Sequence, residues 1–148
     1  MTKQNRGFTL IELIVVILIL GILAAVAAPR FVDLTGQARI AALNGLRASV
    51  SSAATLTNAL QVAQGLASGA SVTVEGVAIT MVNAYPTANT AGIESAIRLD
   101  AGTYATAAGP PYVFQIRSAP TPATCQFTYT AATATVPPVI SASATAGC

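Results

Sequence analysis

Histidine and tryptophan are missing from this chain, cysteine occurs only twice, and just 8% of its 148 residues are charged. Each shortage excludes something. Without imidazole there is no His general base, no Ser-His or Cys-His nucleophile pair, and little with which to build a zinc site. Two thiols cannot form a four-thiolate cage. A net charge of +2 is not the basic footprint that phosphate neutralisation requires, so no nucleic-acid contact is expected. The length suits one modest domain and hardly two. Average soluble domains carry about 25% charged residues, whereas this chain is 53% hydrophobic. It is therefore expected to lie partly in a membrane or to pack into something larger. The expectation is a structural or interaction protein: not an enzyme, and without cofactor or metal.

The apolar residues are concentrated. From Phe8 to Ala28 the chain reads FTLIELIVVILILGILAAVAA, broken only by Thr9 and Glu12. As a helix this run extends about 31 Å, the hydrocarbon thickness of a bilayer. Lys3 and Arg6 precede it with no acidic residue beside them, which predicts a cytoplasmic N-terminus and a single pass. A secretory signal peptide cut near Ala25-Val26-Ala27, or a plain uncleaved anchor, would also account for the run. Neither accounts for Glu12. A carboxylate at the centre of a spanning helix costs about 2.5–3.5 kcal/mol, somewhat less near its end, and such residues are functional by default.

The junction Gly7-Phe8-Thr9-Leu10-Ile11-Glu12 closely resembles the processing and assembly signature of type IV pilins and their pseudopilin relatives. The resemblance implies cleavage between Gly7 and Phe8 by a prepilin peptidase that also N-methylates Phe8. It implies that the apolar run is retained and that Glu12 is the assembly residue. Loss of Lys3 and Arg6 leaves five basic residues (Arg30, Arg39, Arg47, Arg98, Arg117) against five acidic ones (Glu12, Asp33, Glu75, Glu94, Asp100). A buried Glu12 becomes tolerable when a neighbouring subunit presents its Phe8 ammonium, because buried charges need partners. Gly21 and Pro29 match positions where pilin helices bend or unwind in a filament, and both are unfavourable in a helix. The organisation expected is a leader (1–7), a membrane and filament-core helix (8–29), and a helix continuing into a globular head (30–148).

Phe31, Leu34, Ala38, Ala42, Leu46, Val50, Ala53 and Leu60 recur at helical spacing and predict a helix to about Gln64, stopped by Gly65 or Gly69. Val72–Val74 and Val77–Val82 around Glu75-Gly76 predict a hairpin. Asn83–Asn89 reads as a loop, and Ala91–Leu99 as a short helix with Glu94 and Arg98 paired four apart. Tyr112–Arg117 and Thr124–Tyr129 alternate as strands, while Val136–Ile140, holding Pro137-Pro138, is at best an edge strand. The fold class is α+β: a long bent N-terminal helix with a small antiparallel β-sheet head.

The extracytoplasmic address makes a Cys125–Cys148 disulfide the expectation, worth about 3 kcal/mol in the chain-entropy model; free thiols or an intersubunit bridge are the alternatives. Tyr85, Tyr104, Tyr112 and Tyr129 either face a sugar or, more in keeping with aromatics, lie in core and subunit contacts. Tyr85-Pro86-Thr87-Ala88 and the terminal cysteine pair look like mannose-sensitive haemagglutinin-type pilins. The function the resemblance implies is the subunit of a type IV pilus. It would be a homopolymer extracted from the inner membrane by an assembly platform and ATPase. The extracellular filament would serve surface adhesion, with motility or DNA uptake as further roles. The alternatives are a type II secretion pseudopilin, whose calcium-binding acidic loop has no counterpart in these scattered carboxylates, and a secreted carbohydrate-binding domain freed by signal cleavage.

Overall fold

The computed structural model describes residues 8–148, and the side chains of all of these except 28–33. Helix α1 runs from Leu10 to Ala63. The described residues up to 36 and residues 37–148 form two separate units. In the first, every described side chain from Phe8 to Ala27 is exposed. The second has a core of its own.

In that second unit α1 buries Leu43, Leu46, Val50, Ala54, Thr57 and Gln61, spaced three and four apart. This stripe differs from the one the sequence predicts. Leu46 and Val50 belong to it, but Leu34 and Ala38 are exposed, and Leu43 replaces them as the first buried position. Phe31 lies outside the described side chains. Thr57 and Gln61 escaped notice because they are polar; Thr57 is satisfied within the helix, whereas Gln61 pairs its amide nitrogen and leaves Oε1 buried without a hydrogen bond among the described residues. The Thr57 hydroxyl donates to Ala53 O at 2.8 Å. Gln61 Nε2 donates to Ala67 O (3.0 Å) and Ala70 O (2.6 Å), fastening the following loop to the helix. Gly65 N–H and Leu66 N–H close back on Val62 O and Gln61 O, a Schellman ending at the stop the sequence marks.

Eight strands follow in three sheets. β1 (Val72–Val74) and β2 (Val77–Ile79) form the predicted hairpin. Glu75 and Gly76 have φ of 50° and 82°, the signs of a type I′ turn, which suits strand twist and favours glycine second. The run from Val77 to Val82 is not one strand. β3 (Met81–Val82) leaves β2 to pair with β4 (Tyr85–Pro86), inside the stretch read as a loop. The predicted helix 91–99 is a π-helical turn at Thr90–Glu94 followed by α2 (Ser95–Ile97). Glu94 and Arg98 do not pair. Arg98 reaches Glu75 across the hairpin turn, and the Glu94 carboxylate accepts the Tyr112 hydroxyl. Once α2 ends at Ile97 with Arg98 left-handed, the four-residue spacing no longer stacks the two side chains.

The main sheet orders β5 (Tyr104–Ala107), β6 (Tyr112–Ile116), β7 (Gln126–Thr130) and β8 (Val139–Ile140), all antiparallel. β5 was not anticipated, because Tyr-Ala-Thr-Ala carries little alternation. β8 is the edge strand that Pro137-Pro138 permits. Alternation on β6 and β7 sends Tyr112, Phe114, Ile116, Phe127 and Tyr129 onto the face of α1, together with Ile93 and Cys125. Phe114 and Phe127 sit opposite each other in register and stack at 5.1 Å. A smaller cluster of Val72, Ile79 and Met81 closes the hairpin end.

Burial holds the protons of the core tyrosines. The Tyr129 phenol, fully buried and donating to Pro86 O at 2.8 Å, is pushed well above its ordinary 10.0 by desolvation. Desolvation, and then the bond to Glu94, raises Tyr112 as well. A folded pKa above the unfolded one adds stability that is complete below the unfolded value and declines as pH rises past it. Unfolding free energy should therefore fall above pH 10.0. Tyr129→Phe should lower stability at neutral pH by about 1 kcal/mol for the lost hydrogen bond and flatten that alkaline decline. Urea titrations between neutral and alkaline pH check both.

Candidate functional site

The first turn of α1 carries the residues singled out by the sequence. Gly7, Lys3 and Arg6 lie outside the described residues. Phe8 is 79% exposed. Phe8, Ile11, Glu12, Val15 and Val16 line one shallow open face of the helix, so Glu12 is a carboxylate on an apolar surface. Around it Leu10 to Ala27 is long and apolar enough to cross a membrane, with mean hydropathy 3.1.

Glu12 is not without a partner in its own chain. Thr9 N–H donates to Glu12 Oε2 at 2.9 Å, and the Thr9 hydroxyl donates to the same oxygen at 2.7 Å. Glu12 N–H in turn approaches Thr9 Oγ1 at 3.3 Å. Thr9 is the cap and Glu12 the third helical residue, which makes this a reciprocal capping box. The Thr-x-x-Glu spacing was legible, and the sequence reading missed it by treating Thr9 as an interruption. Both bonds use Oε2, and no hydrogen bond to Oε1 is found among the described residues.

Gly21 and Pro29 fall within α1, which is helical through both positions. Pro29 has no N–H, so the Ala25 carbonyl lacks its usual helical donor. Residues 37–148 hold no comparable constellation. Among the described residues no three His, Cys, Asp or Glu side chains gather as a metal site. Tyr112 and Tyr129 are core, and Tyr85 and Tyr104 are half-buried against it.

Cys125 and Cys148 form an intrachain disulfide, with Cα atoms 4.9 Å apart, which removes free thiols and an intersubunit bridge. The tail it pins is held by more than sulfur. Arg39 Nη1 donates to Cys148 O at 2.9 Å, Arg47 Nε to Ser141 O at 2.7 Å, and Ser143 Oγ to Asn44 Oδ1 at 2.9 Å. Gln126 and Ala144 exchange N–H···O bonds of 3.1 and 2.8 Å. Gly147 bonds to both Thr121 and Thr124, so close that any Cβ there would collide with them. These anchors were invisible in sequence, since nothing local pairs an arginine with a carbonyl a hundred residues away.

With this geometry in place, comparison with known proteins is informative. A family described as the prokaryotic N-terminal methylation motif matches residues 2–28. The chain carries that motif. Its leading segment is similar to the type IV narrow pilus major component PilA5 of Thermus thermophilus, 60% identical over 50 residues, covering 34% of this chain and 43% of that one. It is similar to the type IV major pilin protein PilE1 of Neisseria gonorrhoeae, 55% identical over 40 residues, covering 27% and 24%. A fimbrial protein of Pseudomonas aeruginosa is 50% identical over 38 residues, covering 26% and 25%. The chain thus spans less than half the length of these relatives. No solved structure matches. The mannose-sensitive haemagglutinin likeness gains no support from these relatives. Its Tyr85-Pro86-Thr87 stretch has a structural task instead: Tyr85–Pro86 is β4, Pro86 O receives Tyr129, and the Thr87 hydroxyl binds Thr80 and Asn89.

The capping box yields a prediction. Thr9→Val keeps the shape and removes the hydroxyl, which should cost the first turn about 1 kcal/mol; Thr9→Ser should keep the cap. Amide hydrogen exchange of Leu10 to Leu13 in detergent micelles should quicken in the valine variant and not in the serine one.

Proposed function

We propose that this chain is a structural subunit of a type IV pilus, processed at Gly7–Phe8 and polymerised through its N-terminal helix. The observation that carries the reading is Glu12 on a helix of exposed apolar residues within a matched methylation motif. Such a surface belongs in lipid or against other helices, and burying each large side chain is worth about 1.5–3 kcal/mol. Helices leave lipid for a filament when they bury one another equally well and when their polar groups find partners.

Glu12 supplies the polar term. Before assembly Thr9 satisfies Oε2 within the chain, which reduces the cost of holding a carboxylate at membrane depth. In the filament Oε1 accepts the Phe8 ammonium of a neighbour and sets axial register, a use to which buried polar groups are well suited. A prepilin peptidase and methylase, an inner-membrane platform and an ATPase are the partners this scheme requires. The chain would sit in the inner membrane with a cytoplasmic N-terminus before extraction. Gly21 and Pro29 would be the points where the helix yields in the filament. Surface attachment is the role we assign, with motility or DNA uptake depending on the machinery around the filament. The chain is material rather than catalyst.

Intact mass and N-terminal sequencing of protein sheared from cells provide the test. The expected chain starts at Phe8 and carries one extra methyl group. A chain starting near Ala28 would mean that the apolar run was a signal peptide and would end the filament reading. Glu12→Ala should leave cleavage intact and abolish filaments; normal filaments from it would overturn the role of Glu12.

A further inference from the structure

The main sheet has an edge that subunits of a polymer must manage. β5 has β6 on one side and no strand on the other. Arg117 N–H donates to Thr103 O at 3.1 Å, so in this register residues 103, 105 and 107 turn their backbone groups towards β6. Tyr104 and Thr106 turn theirs outward, by antiparallel alternation. An outward row of that kind is a template for a strand of another chain.

Here the row is filled from within the same chain. Tyr104 N–H donates to Asp100 O at 3.0 Å. Tyr104 O accepts Arg117 Nη2 at 3.3 Å, and Ala101 O accepts Arg117 Nε at 3.1 Å. The turn that presents these groups is itself braced, because the Asp100 carboxylate accepts Gly102 N–H (3.0 Å) and the Thr103 hydroxyl (2.5 Å). What remains outward on β5 is the backbone pair of Thr106. The opposite edge is protected differently. β8 is two residues long, follows Pro137-Pro138, and ends where Ser141 O turns to Arg47.

We propose that Arg117 guards the β5 edge against a strand of a second copy of this chain. Its guanidinium occupies the Tyr104 carbonyl, one of the two on β5 that an incoming strand would use, and its exposed charge opposes the same charge on an approaching copy. Heads are thereby kept from joining strand to strand. Where the pilus reading holds, polymerisation is left to the N-terminal helix, but the guard does not depend on that reading.

The experiment compares the full chain with Arg117→Ala in detergent micelles, by size-exclusion chromatography with light scattering and by thioflavin T fluorescence. Arg117→Ala should give about a doubling or more of protein mass per particle as strand-paired copies accumulate. Adding Thr106→Pro, which removes the last outward donor, should return the mass to that of the original protein. An Arg117→Ala variant with unchanged near-ultraviolet circular dichroism and unchanged mass overturns the proposal. Should Arg117→Ala fail to fold, amide exchange in the unaltered protein decides. A freely exchanging Thr106 supports an unpaired, guarded edge, and a Thr106 as slow as Tyr104, whose N–H Asp100 O already holds, means that the edge is paired and overturns the proposal. A wrong pilus assignment would change the mature N-terminus and leave these readouts as they are.

Discussion

From Leu10 to Ala27 no side chain is buried against the rest of its own chain, although the segment is almost entirely Leu, Ile, Val and Ala. Water is the one surrounding this surface cannot accept, because apolar area left in water costs about 25 cal/mol per Å². The segment therefore needs an apolar surrounding, and the single carboxylate within it needs a polar partner there. The capping box meets that need in the isolated chain without a second subunit. It also holds the carboxylate at a defined place on the first turn.

Residues 37–148 solve a different problem: making a stable fold with very few charges. The stripe of α1 and the inward faces of β6 and β7 supply an aromatic-rich core. Most of the arginines are then used as donors to backbone oxygens. Arg47 and Arg117 donate to main-chain carbonyls, Arg39 donates to the backbone oxygen of Cys148, and Arg98 pairs with the Glu75 carboxylate. A guanidinium suits the task because its donors are fixed in a fork and always charged. Irregular segments with no ladder of their own, such as the tail before Cys148, are held in this way. The disulfide then fixes a segment whose register Gly147 and Ala144 already define.

The signals on which the proposed function rests are local. Phe8, Glu12 and the apolar run need only their spacing to be read, and so did Thr9, had its hydroxyl been counted as a cap. The long helix, its glycine stop, the Glu75-Gly76 turn and the strands around Phe114 and Phe127 were legible for the same reason. Each rests on a period or a turn that is complete within ten residues or so. β4 and β5 were not seen, because Tyr85-Pro86 lies in a turn-rich stretch and Tyr-Ala-Thr-Ala carries little alternation, whereas the equally short β1 and β2 were marked by the Glu75-Gly76 turn between them.

By itself the sequence determined the membrane-length helix, its charged residue and the α+β class; it made the Cys125–Cys148 bridge the expectation, which the structure then decided. Tertiary structure alone decided which helix face is buried, since polar Thr57 and Gln61 become core residues only when carbonyls of their own helix and of the next loop lie within reach. It also decided that Arg98 meets Glu75 instead of Glu94, and that Arg39, Arg47 and Arg117 close backbone oxygens distant along the chain. A hydrogen bond between residues far apart in sequence leaves no local pattern, because the acceptor is a backbone group that every residue possesses.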